Sequence, residues 1–243
     1  MQQKQTGQLG LGDGLISFRP TFLTEVDELI DWSPIEQALD GIYGSAKGRP
    51  SYPLLVMFKT LLLQQWYGLS DAGMEESLAD RISFRRFVRL GLGDVVPDHT
   101  TICRFRARVG TRVENLMAIL NGQFESKGLL VKQGTLMDAS FVKASSSKLE
   151  VDPEAGRYGL NKEGSVSGYK AHVGVDQGSG IVRRLVVTPA NVNDTVVADS
   201  LVAGDERAVY ADKAYDKRAR RSELEERGVL ACIMHRPGNH QPL

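Results

Sequence analysis

The hydrophobic period of this 243-residue chain changes near Gly134, and that change constrains its fold more than any other feature. Before it, apolar residues recur at steps of three and four; after it, they fall in short runs and strict alternation. After Pro53, Leu54, Phe58, Leu61, Leu62 and Trp66 mark one face of a helix that Gly68 ends. Ser70 or Asp71 can cap the next helix, "AGMEESLADR", and a short one, "SFRRFVRL", follows. Asp98 is the expected N-cap of a single long helix in "VPDHTTICRFRARVGTRVENLMAIL", with Ile102, Phe105, Val109, Val113, Leu116 and Leu120 as its core stripe.

Beyond Gly134 the readings are strands. "GTLMDASF" (134–141) is an apolar run with one acid, Asp138, inside it. "YKAHVGVD" (169–176) places Tyr169, Ala171, Val173 and Val175 on one face and Lys170, His172 and Asp176 on the other, as in a half-buried strand. An exposed or loosely bound role is therefore expected for His172. "QGSG" is a tight turn, with Asp176 as a turn residue, and "IVRRLVVT" (181–188) returns as a hairpin. "NDTVVADSLVA" reads as a helix capped by Asn193 or Asp194, and "AVYAD" (208–212) as a fourth strand. "DKRARRSELEERG" reads as a polar helix, capped by Asp216 and ended by Gly228, and "VLACIMH" as a fifth strand.

The expected order is β-β-β-α-β-α-β, an antiparallel meander followed by helical crossovers. One known architecture with this order is the ribonuclease H-like fold. The fold class is thus α+β: a flexible stretch 1–17, an N-terminal all-α helical domain 18–130, and an α/β domain 131–243. Residues 142–168, rich in Ser, Gly, Lys and Glu, show little periodicity and read as a long functional or mobile connection.

Lys and Arg number 30, as do Asp and Glu, so overall charge says nothing about a nucleic-acid partner. Local charge does. Arg81, Arg85, Arg86, Arg89, Arg104, Arg106, Arg108 and Arg112 crowd 81–112, opposed only by Asp94 and Asp98. Basic residues release counterions when they meet phosphates. Thr100, Thr101 and Arg104 would sit near the start of a helix, where helix-turn-helix proteins touch base edges. An ordinary basic surface on a helical bundle is the alternative. "KAYDKRARR", with Lys213 and Arg218, is a second basic run. Cys103 and Cys232 form no CxxC pair and are expected as buried thiols in a reducing cytosol. The polar N-terminus lacks the apolar core of a signal peptide, and "LLVMFKTLLL" is too short to span a bilayer. A cytoplasmic protein without a membrane partner is expected.

Asp138 lies inside the first strand and Asp212 ends the fourth. In the expected topology these strands are neighbours, so the carboxylates could converge on a hard cation such as Mg²⁺ or Mn²⁺. Each could equally end a strand or cap a turn, and spacing leaves both readings open.

"GYKAHVGVD", "VVTPANVND" and "VYADKAYD", in that order, closely resemble bacterial insertion-sequence transposases of the DDE type, in the IS-five and IS-four groups. "LMDASFVKASSS" resembles their first-aspartate segment. "GRPSYPLLVMFKTLLLQQWYGLSD" and "PDHTTICRF" resemble their N-terminal helical domain. The resemblance implies a ribonuclease H-like domain that binds two divalent ions, Mg²⁺ or Mn²⁺, for DNA cleavage and strand transfer. By motif, the catalytic, metal-holding aspartates are Asp138 and Asp212. The implied partner is double-stranded DNA, both inverted-repeat ends and target, held by a homo-oligomer associated with the nucleoid. Arg85, Arg86, Arg89, Thr100, Thr101, Arg104, Arg106, Arg108, Lys213 and Arg218 are the candidate DNA contacts. The family's third acid is a Glu on a helix beyond the fifth strand, among a Tyr, an Arg and a Lys. No Tyr or Lys occurs after residue 217, and Glu223, Glu225 and Glu226 precede that strand. The expectation is an incomplete ribonuclease H-like domain, truncated at its C-terminus.

Overall fold

A computed structural model describes residues 21–44, 50–143, 157–161 and 164–235. The chain divides into two compact units between Gln123 and Phe124.

The first unit is helical: α1 (Phe22–Leu29), α2 (Ser33–Leu39), α3 (Leu54–Trp66), α4 (Asp71–Asp80), α5 (Ile82–Val88), α6 (His99–Val109) and α7 (Val113–Ser126), which crosses the division. Helix α3 is its centre. Leu54, Phe58 and Leu61 are buried as expected, but so are Val56, Met57, Lys59, Thr60, Leu63 and Gln64, whereas Trp66 is exposed. A helix buried around most of its girth must pair its polar side chains. Lys59 pairs with Asp27 and lies 4.1 Å above the Trp32 ring, and Gln64 donates to Asp71 at 2.6 Å. Ser70 caps α4 by accepting from the Gly73 N–H at 3.1 Å, and Asp98 caps α6 by accepting from the Thr101 N–H at 2.8 Å. The expected single long helix is broken: a 3-10 turn over Gly110–Arg112 separates α6 from α7. Ile102, Phe105, Val109 and Leu116 are buried, while Val113, beside the break, is exposed.

The second unit is built on one mixed sheet: β1 (Thr135–Lys143), β2 (Arg157–Asn161), β3 (Gly164–Asp176), β4 (Val182–Pro189), β5 (Ala208–Ala211) and β6 (Leu230–Ile233). Strand β3 is the hub. It pairs antiparallel with β1 along one side and β4 along the other, and its first residues pair with β2. Strand β1 then runs parallel to β5, and β5 parallel to β6. Helices α8 (Asp194–Val197) and α9 (Arg218–Glu226) make the crossovers, α8 continuing as a 3-10 turn, Ala198–Leu201. The protein is α+β with a mixed sheet. The five expected strands are present, and β2 adds a sixth inside the stretch expected to be irregular. Residues 144–156 of that stretch lie outside the described residues.

The sheet buries the face that the sequence marks as polar. Directly opposed residues share a face, which puts Thr135, Met137, Ala139, Phe141, Lys170, His172, Gly174 and Asp176 together. His172 and Asp176 are fully buried on it. Gly174 is the reason: a Cβ there would lie 2.5 Å from the Leu201 carbonyl oxygen, so only glycine lets the 3-10 turn close over this face. His172 is therefore not an exposed side chain. Burial lowers its pKa and keeps it neutral, and its Nε2 meets Thr188 Oγ1 at 2.9 Å. Asp176 accepts from the Val131 and Lys132 N–H groups and from Ser179 Oγ, at 2.9, 2.8 and 2.6 Å. Burial would raise its pKa, but these bonds outweigh it and hold the carboxyl below its usual range. Both cysteines are exposed rather than buried, Cys103 on the outer side of α6 and Cys232 on β6.

Candidate functional site

The register of β1 and β5 brings the two aspartates level. Thr135 pairs with Val209 and Leu136 with Tyr210. Asp138 lies two residues past the Leu136 pair and Asp212 two past the Tyr210 pair, so the aspartates hold equivalent places beyond the paired stretch. Alternation puts both on the face opposite His172, and both are exposed. Asp138 Oδ1 accepts from the Ala139 N–H at 2.8 Å. Asp212 caps the 3-10 turn Lys213–Tyr215, its Oδ1 accepting from the Ala214 N–H at 2.8 Å. So Asp212 does cap a turn, but with one oxygen. Among the described residues, Oδ2 of neither aspartate has a hydrogen-bond partner.

The turn after Asp212 is fixed from beneath. Tyr215 is buried, and Arg220, 3% exposed, donates to its carbonyl at 2.6 Å, to Thr195 O at 2.8 Å and to Asp199. Burial raises the Tyr215 pKa, and Asp194, Asp138 and Asp212 raise it further, so three carboxylates act on one phenol. Asp194 is held by Lys170 at 2.8 Å, and its Oδ1 lies 3.8 Å from His172 Nδ1. Asn193, not Asp194, caps α8. Asp216 is not a cap either: α9 begins after Lys217, and Asp216 pairs with Arg221 at 2.7 Å.

Two exposed carboxylates with free oxygens fit a hard divalent cation, which one or two carboxylates commonly hold with water and phosphate. No cluster of three or more His, Cys, Asp or Glu side chains suited to a metal occurs among the described residues. Asp138 and Asp212 share their sheet face with apolar side chains in the open: Leu136 is 43% exposed, Val187 58% and Leu230 67%.

The candidate DNA contacts separate into two kinds. Arg85 is buried, and its guanidinium binds Leu78 O at 3.1 Å, Gly91 O at 2.6 Å, Leu92 O at 3.0 Å and Asp94 O at 2.7 Å. It closes the end of α5 from inside and cannot reach DNA, which corrects the expectation for it. Arg89, left-handed at φ 65°, donates to Asp27 at 3.0 Å and is otherwise exposed. Arg106 pairs with Asp71. Thr100 and Thr101 donate their hydroxyls to Asp98. These bonds and the Thr101 N–H lower the Asp98 pKa to about 2. Thr100, Arg104 and Arg108 form an exposed i, i+4, i+8 row on α6, with Cys103 beside it. Among the described residues, neither Arg104 nor Arg108 has an ion-pair partner. Arg86, Lys213 and Arg218 are also exposed. Sequence reasoning missed the Lys170–Asp194–His172 group and Tyr215; the adjacent "GYKAH" and "NVND" segments carried the only available signal.

Residues 12–108 match the family described as a transposase domain (DUF772), and residues 130–242 match the transposase DDE domain family. Together these two domains support a DDE transposase. Among solved structures, the chain is similar to the piggyBac transposase synaptic complex with hairpin DNA, at 13% identity and a TM-score of 0.44 over 89% of this chain and 49% of that one. It is also similar to the Mos1 strand transfer complex, at 14% identity and a TM-score of 0.23 over 79% and 62%. The chain thus spans about half the length of the first of these and under two thirds of the second. At such scores the likenesses say nothing about mechanism. The DDE domain family implies a divalent metal. No helix among the described residues is long and apolar enough to cross a membrane.

Proposed function

We propose that this chain is a DNA transposase of the IS-five/IS-four type, with a helical DNA-binding domain over 18–130 and a ribonuclease H-like catalytic domain over 131–243. The placement of Asp138 inside β1 and of Asp212 just past the end of the parallel β5 carries the reading. They would hold Mg²⁺ or Mn²⁺, which supplies Lewis-acid activation of a phosphodiester and its attacking oxygen. Arg220 and Tyr215 fix the turn that aims Asp212, and β3 fixes Asp138 from the other side. Lys213 and Arg218, exposed just past Asp212, suit phosphates near the reacting bond. The α6 row of Thr100, Arg104 and Arg108, with Arg86 nearby in sequence, suits the duplex at inverted-repeat ends. Homo-oligomeric assembly on paired ends, and a place in the nucleoid, belong to the same reading.

The exposed α6 row, which needs no metal, also supports a second reading, a DNA-binding remnant that competes with an intact transposase. Incubation of the purified chain with end-bearing DNA and Mg²⁺ separates the two. Nicking that Asp138→Asn and Asp212→Asn both abolish supports the enzyme. Binding without nicking supports the remnant, and failure to bind DNA refutes both.

A further inference from the structure

Beside its outer row, α6 also lines a cavity of about 280 Å³ in the helical unit. Tyr43 and Phe105 form an aromatic wall, with ring centroids 6.0 Å apart and tilted by 44°. Tyr52 completes it, with its hydroxyl donated to Val96 O at 2.9 Å. Burial raises the Tyr43 pKa to about 12, so its phenol is neutral, and Arg108 lies close enough to oppose that rise. Arg104 and Arg108 both line the cavity and are exposed. Among the described residues the only acid in the lining is Asp98, whose two oxygens are taken by Thr100 and Thr101. Thus an aromatic-walled space meets two guanidiniums whose charge no carboxylate among the described residues pairs.

The geometry points to an unpaired nucleotide as the occupant. The volume falls just below the roughly 300–1,000 Å³ of sites that bury whole drug-sized ligands, which suits one base rather than a larger molecule. The base enters against Tyr43 and Tyr52, within reach of the Ser51 and Thr101 hydroxyls that also line the space. The flanking phosphates lie on Arg104 and Arg108. Stacking on aromatic walls with arginines on the backbone is how single strands are held without regard to sequence. The inference rests on α6 being the DNA-binding helix and adds that it takes a base out of the stack, where duplex contact alone would need no cavity.

The test compares an eight-residue thymidine single strand with a strand of equal length and charge in which every base is replaced by an abasic site. Binding to the full chain is read by fluorescence anisotropy, with a duplex in parallel. The base-bearing strand should bind about tenfold more tightly than the abasic one. Tyr43→Leu should remove that preference, and so should Ser51→Trp, which fills the cavity from a half-exposed coil position without deleting core atoms and serves if Tyr43→Leu fails to fold. Arg104→Ala should weaken both strands equally. Equal affinity for the two strands, or a preference that survives Ser51→Trp, overturns the inference; if duplex binding persists, the reading of α6 still stands. A base preference without duplex binding keeps the cavity and overturns that reading. No binding of any DNA overturns both.

Discussion

Replacing Arg85 by Met should destabilise the helical unit and leave duplex contacts on α6 in place. The side chain is 6% exposed and its guanidinium meets four carbonyl oxygens, at the end of α4 and in the loop after α5. Methionine keeps the aliphatic stem and removes every donor. A hydrogen bond from a charged group contributes about 1.5–3 kcal/mol, and an acceptor left buried costs about 1–3 kcal/mol. These do not add in full, because water can reach some of the loop carbonyls once the guanidinium is gone. A net loss of about 3–5 kcal/mol is expected, comparable to breaking a buried charge pair. For a unit of this size that corresponds to a fall in Tm of roughly 10–20 °C, followed by far-UV circular dichroism. Arg104→Ala, on the exposed row of α6, should leave the Tm within about 2 °C and weaken DNA binding. The reasoning is refuted if Arg85→Met melts like the wild type and binds DNA more weakly, for then the guanidinium faces phosphate and not the loop.

The exposed Cys103 beside the α6 row supplies a footprint: duplex DNA should slow its maleimide labelling severalfold, and an unchanged rate would place DNA elsewhere than on α6. The Asp98 cap carries a pH signature. Its folded pKa of about 2 lies below the ordinary 3.8, so its stabilisation is complete above about pH 4 and is lost as pH falls towards 2. Asn caps as well as Asp without titrating, so Asp98→Asn should flatten the fall in α6 amide protection between pH 4 and 2, and an unaltered pH profile would count against the cap.

Much of this architecture could be read from periodicity, and the failures have physical causes. The alternation at 169–176 correctly implies two faces but cannot say which is covered. That depends on Gly174 admitting the Leu201 carbonyl from a segment distant in sequence. The helical pattern from Ile102 to Leu120 continues in phase through Gly110, so the 3-10 break there was invisible. Arginines in a row read as surface, yet Arg85 turns inward to carbonyls that only the fold brings together. β2 escaped because the sequence there carries little period-2 alternation. Asp138 and Asp212 were legible because each interrupts an apolar run. Their alignment is a matter of register, which the sequence does not carry.

The most direct test of the account is Mn²⁺ binding by calorimetry to the wild type, Asp138→Asn, Asp212→Asn and the double variant. One shared site predicts that either single substitution abolishes binding and that the double variant is no worse than the singles, because both carboxylates serve the same ion. Binding that survives either single substitution, or losses that add in the double variant, would mean that the two aspartates stand side by side without forming a site.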